Sequence, residues 1–67
     1  MTRKQAKKLL KDIEEIATQL QLEALERGET LERREAEQQT YELIAKEHNI
    51  DKEQVIAQVA EALTMIF

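Results

Sequence analysis

His48-Asn49-Ile50-Asp51-Lys52-Glu53-Gln54-Val55 ends one helix and begins another within eight residues. Asn49 tolerates a left-handed backbone and so can terminate the helix before it. Asp51 reads as an N-cap, because its carboxylate can accept from the free N–H groups of a first helical turn. Gln54 completes an Asp-x-x-Gln capping box, and Ile50 and Val55 fall at the spacing of a hydrophobic staple. Beyond the corner, Val55, Ile56, Val59, Ala60, Ala62, Leu63 and Ile66 recur on one helical face, with Gln54, Gln58 and Glu61 on the other. The spacing predicts a helix over residues 52–66, with Met65 towards its polar side and Phe67 as the last residue.

Upstream of the corner, the pattern predicts a helix over 31–47 that is unevenly built. Glu32 to Gln39 holds one apolar residue, Ala36, so this half reads as a solvated face held by charge pairs such as Glu29–Arg33. The larger apolar residues come late, at Tyr41, Leu43 and Ile44, with Ala45 beside them. Before it stands Gly28-Glu29-Thr30. Gly28 suits the positive φ just past a helix end, and Thr30 can cap the helix that follows. So short a link returns the chain as an antiparallel helical hairpin. One continuous helix through Gly28 is the competing reading. Its seam of Ala6, Leu10, Ile13, Ala17, Leu20 and Ala24 would have to continue as Arg27, Leu31, Arg34, Gln38 and Tyr41, and three of those five are polar.

The first segment, 2–27, carries Ala6, Leu9, Leu10, Ile13, Ile16, Ala17, Leu20 and Ala24 in steps that form one helical stripe. Leu22 and Leu25 lie off it, which calls for cover by the next helix or for an intermolecular contact. Arg3, Lys4, Lys7, Lys8 and Lys11 occupy the side opposite the stripe, with no acid before Asp12. They read as a solvated face, helped by Lys8–Asp12 and Lys11–Glu15 pairs, or as a surface for phosphates or anionic lipid. Either way they oppose the helix dipole.

Composition narrows the chemistry. The 67 residues allow one domain, with net charge −4, one histidine, one tyrosine, one phenylalanine, and neither cysteine nor proline. Disulfides and thiolate metal sites are excluded. There is no serine and no glycine-rich loop, so no nucleophilic triad and no phosphate cradle can be assembled. His48 reads as a residue favourable to a helix C-terminus, and Tyr41 as packing at the edge of the core. The expectation is a non-enzyme without cofactor or metal. No run reaches membrane-spanning length and no signal peptide is evident, so the setting reads as cytoplasmic.

Tyr41 to Ile50, followed by Val55, resembles a helix-turn-helix: Ala45 stands at its small position, Asn49 at its turn glycine, and Ile50 and Val55 at its apolar positions. The resemblance implies DNA reading by the third helix. The chain departs from it at Gln58, where an apolar residue belongs, and in offering Asp51, Glu53 and Glu61 against Lys52 where recognition helices carry cations and amides. The run Gln39 to Leu63 is similar to the end of the oligomerisation region of histone-like nucleoid-structuring proteins, which implies self-association. It is also similar to the helical start of the elongation factor NusA. Ile50-Asp51 and the apolar pattern after it carry both resemblances.

These readings converge on an all-α, three-helix domain: a helical hairpin plus a C-terminal helix, working by protein–protein contact as a small regulator, adaptor or oligomerisation module. The partner is itself, as a homodimer, or another protein. The candidate interface is Leu22, Leu25, Met65, Ile66 and Phe67. The alternative is an anion-surface binder, for nucleic acid or an anionic membrane, using Arg3, Lys4, Lys7, Lys8 and Lys11. A designed helical protein with no natural function also fits the dense Glu/Lys usage.

Overall fold

The computed structural model describes residues 1–66; Phe67 lies outside the described residues. The protein is all-α, with α1 at Arg3–Glu26, α2 at Arg33–His48 and α3 at Lys52–Ile66, and no strand among the described residues. Each helix packs against the other two.

Local chemistry sets the ends. Thr2 caps α1: its Oγ1 accepts from the Gln5 N–H at 3.1 Å, while Gln5 Oε1 accepts from the Thr2 N–H at 2.8 Å. At the far end Gly28 takes φ +76°. The Glu29 N–H reaches the Ala24 carbonyl at 2.8 Å and the Gly28 N–H reaches that of Leu25 at 3.0 Å, a Schellman closure that satisfies carbonyls left over by the last turn. The helix therefore stops at Gly28 and does not run on. The second corner repeats the device. Asn49 sits at φ 54°, the Ile50 N–H donates to Ala45 at 2.9 Å, and the Asn49 N–H to Lys46 at 3.3 Å.

Two expectations about caps fail. α2 starts at Arg33, with Glu32 in the cap position and no side-chain cap bond, so Thr30 does not cap it and the link covers 27–32. The expected Glu29–Arg33 pair is replaced as well. Arg33 turns back onto α1, donating from Nη1 to Thr18 Oγ1 at 2.9 Å and to Gln21 Oε1 at 3.1 Å. Gln21 Nε2 in turn donates to the Leu31 carbonyl at 3.1 Å. These bonds to α1 hold the start of α2 where a cap would otherwise stand; Glu29 pairs with Arg27 instead, at 3.5 Å. At α3 only half of the predicted box forms. Gln54 Oε1 accepts from the Asp51 N–H at 2.9 Å, but the Gln54 N–H goes to the Asp51 backbone carbonyl at 3.0 Å, and the Asp51 carboxylate has no hydrogen bond among the described residues.

Contacts fix the direction of travel. The start of α2 lies on Thr18 and Gln21, and its end lies beside Leu9, Asp12 and Ile16, so α2 runs antiparallel to α1. Val55 and Val59 pack with Ile13, whereas Glu61 reaches the amino terminus of Met1 at 3.1 Å. After the corner, α3 therefore heads on towards the beginning of α1. The Cα extents are 39 × 25 × 15 Å. The short dimension equals about two helix layers, from an axis separation of about 8–10 Å and Cα radii of about 2.3 Å. The radius of gyration is 12.5 Å, above the roughly 11 Å of a compact chain of this length.

The core follows the predicted α1 stripe. Ala6, Ile13, Ala17 and Ala24 are buried, and Leu9, Leu10 and Ile16 pack against the cluster of Ile13, Ile44, Ala45, Val55 and Val59. The first half of α2 is solvated as its sequence suggests, with Glu32, Arg33, Arg34, Glu35, Gln38 and Gln39 exposed and Ala36 alone buried; just beyond it Thr40 is fully buried, and its Oγ1 donates to the Ala36 carbonyl at 2.7 Å. That back-bond satisfies the hydroxyl inside the core. α3 splits its apolar face. Val55, Val59 and Ala62 turn inward, while Ile56, Ala60 and Leu63 are exposed.

Candidate interaction surface

The interior is rich in small residues, and several large apolar ones lie outside it. The largest fully buried side chains are Val55 and Thr40, and six of the ten buried hydrophobic residues are alanines. Leu22, Leu25, Leu43, Ile56, Leu63 and Met65 keep between 40% and 61% of their surface in water. Ile13, Ile44, Val55 and Val59 are the larger apolar residues that the interior does bury, so much of the Leu and Ile surface is left at or outside its edge.

The exposed residues fall into patches. Leu22 and Leu25 are exposed on α1, so α2 does not cover them. Ile56, Ala60 and Leu63 form an outer stripe on α3, at i, i+4 and i+7, beside the stripe that enters the core. Leu43 borders an open hollow of about 500 Å³ with Leu20, Gln39, Glu42 and Lys46. Met65 is exposed and Ile66 is half-buried. Sequence reasoning named Leu22, Leu25, Met65 and Ile66 as candidates but put Ile56 and Leu63 on one apolar face with Val55 and Val59, without separating the part left exposed. The available signal was width. The apolar face of α3 spans more of the helix than the Val55, Val59 and Ala62 stripe that enters the core.

The basic residues lie together as well. Arg3, Lys4, Lys7, Lys8 and Lys11 are all exposed on α1. The expected Lys8–Asp12 and Lys11–Glu15 pairs do not form, and none of the five cations is in an ion pair among the described residues.

Little points to chemistry. No group of three or more potential metal ligands occurs among the described residues. His48 lines an open hollow of about 310 Å³ with Leu9, Asp12, Glu15, Ile16, Ile44 and Glu47. Burial, with a smaller contribution from Glu37, pushes the Tyr41 phenol above its ordinary value, as expected of a residue at the edge of the core. No described helix is long and apolar enough to cross a membrane. Comparison with protein-family models, with curated proteins and with solved structures finds no match to this chain.

Proposed function

We propose that this chain is a non-enzymatic protein–protein interaction module, acting through apolar helix faces that its own core leaves uncovered. One observation carries the reading: six large apolar side chains, Leu22, Leu25, Leu43, Ile56, Leu63 and Met65, stand exposed while six of the ten buried hydrophobic residues are alanines. Covering a large side chain contributes about 1.5–3 kcal/mol relative to leaving it in water, and small chains commonly recover this by associating. The first partner in this reading is a second copy, because twofold dimers are the commonest assemblies, and the setting is cytoplasmic. Sedimentation equilibrium across a tenfold concentration range, with affinity capture and mass spectrometry, tests it. A chain that stays monomeric up to hundreds of micromolar and captures no specific protein would refute it.

A second reading has its own observation. Five exposed cations without ion pairs suit a polyanion, either nucleic acid or an anionic membrane. Titration with duplex DNA and with anionic vesicles at low and high salt decides it. Binding that disappears when Lys4, Lys7, Lys8 and Lys11 become Gln supports this reading, and no binding at low salt eliminates it.

A further inference from the structure

The outer face of α1 carries charges that its own helix disfavours. Residues 3–11 hold five cations and no acid; residues 12–26 hold five acids, Asp12, Glu14, Glu15, Glu23 and Glu26, and no cation. The first turn has no acid and the last turn no base, so both ends oppose the helix dipole. None of these ten charges is in an ion pair among the described residues. Along the same face Lys4, Lys8, Lys11, Glu15, Thr18, Leu22 and Leu25 are all exposed, and they succeed one another in alternating steps of four and three. That spacing keeps the seven residues on one exposed face of α1; five of them are polar, so charge and the two leucines, not an apolar seam, bring a second helix onto it.

We propose that α1 pairs antiparallel with α1 of a second copy, about a twofold axis, so that the basic half of each helix lies on the acidic half of the other. This rests on the self-association reading above and names its surface. One register covers both leucines: Leu25 lies opposite Lys8 of the second copy and Leu22 opposite Lys11 of the second copy, where the lysine stems supply apolar cover and the ammonium groups stay wet. Glu29, just past the end of α1, lies nearest Lys4 of the second copy, and Lys7 and Glu26 flank the contact on opposite sides, so that they act through the field of each half and not as a pair. Thr18 faces Glu15 of the second copy. There Arg33, bonded to Thr18 at 2.9 Å, places a guanidinium beside a carboxylate that no cation of its own helix accompanies. The twofold makes every such contact occur twice. Cations at one end and acids at the other, unfavourable in one helix, become complementary in two.

The absence of cysteine makes the register directly testable. Lys8→Cys and Leu25→Cys chains are mixed and oxidised with diamide, and circular dichroism confirms that each is folded. The expected result is a disulfide joining one variant to the other in preference to either variant with itself. Independently, Lys4→Glu, Lys7→Glu and Lys8→Glu together should abolish the dimer in sedimentation equilibrium, and mixing with a Glu26→Lys, Glu29→Lys chain should restore it. Raising salt from about 0.05 M to about 0.5 M should weaken the wild-type dimer about tenfold, since exposed pairs are screened. A wild-type dimer with no mixed disulfide and no response to charge reversal overturns this placement and moves the interface elsewhere, to the α3 stripe first. A wild-type chain monomeric at every concentration overturns this proposal and the self-association reading together.

Discussion

At the scale of single residues, two backbone positions and one arginine decide where the chain turns. Gly28 has φ +76° with open space where a Cβ would stand, so strain alone opposes a side chain there. Gly28→Ala should cost about 1 kcal/mol in urea denaturation. Asn49 occupies the equivalent place at the second corner, and Asn49→Gly should be neutral or slightly stabilising where Asn49→Ala is not. Both positions are legible in the sequence, because few residue types accept a positive φ. Arg33 was not. Its bonds to Thr18 and Gln21 depend on how α2 lies on α1, and no local pattern carries that information. Thr40 was missed for the same reason: a threonine between Gln39 and Tyr41 looks solvated until packing places it inside and its hydroxyl finds the Ala36 carbonyl. Tyr41, the single tyrosine in a chain without tryptophan, offers a clean titration. Its folded pKa is raised, so the neutral phenol is the form the fold favours. The associated stability is fully present below the unfolded value of about 10 and is lost as pH climbs through the folded value. Ultraviolet titration should find the phenolate forming at higher pH in the folded chain than in urea; coincident curves would contradict the burial.

At the scale of elements, the three helices differ in how they are held. α1 has a complete capping box. Thr2→Ala should therefore destabilise by about 0.5–2 kcal/mol, and a melting curve unchanged in that variant would mean the first turn is frayed in solution. Asp51→Ala should cost less, about 0.3–1 kcal/mol, because the carboxylate contributes through the helix dipole and makes no cap bond. The sequence shows Thr2-x-x-Gln5 as plainly as Asp51-x-x-Gln54, yet only one box closes in full. The motif fixes where a helix begins but not which oxygen takes the N–H. α2 lacks a cap and depends on neighbours, so its first turn should exchange amide hydrogens sooner than the turn around Ile44, and Arg33→Ala should quicken that exchange. The extents of α1 and α3 follow from apolar periodicity. The start of α2 at Arg33 rather than at Leu31 does not, because its position is set by side chains that return to α1.

At the scale of the molecule, all-α architecture and the stripe of α1 were legible because amphipathic spacing survives any arrangement of neighbours. The division of α3 into an inner and an outer stripe was not, since spacing shows that a face is apolar without saying how much of it finds a partner. Charge tests the assembly. Replacing Lys4, Lys7, Lys8 and Lys11 by Gln removes cations that oppose the dipole of α1, so in dilute solution the melting midpoint should hold or rise. At high concentration the wild type gains from association and the order should narrow or reverse. A variant that fails to fold would instead make the lysines structural. The alanine interior has a calorimetric consequence. The heat capacity of unfolding tracks the apolar surface hidden in the native state, ordinarily about 12–15 cal/mol/K per residue. A slab two helices thick, with an interior rich in alanine and with Leu22, Leu25, Leu43, Ile56 and Leu63 exposed, hides less of that surface than an ordinary core. The monomer should therefore unfold with a heat capacity increment below this range, giving a flat stability curve and a broad endotherm, and association should sharpen both.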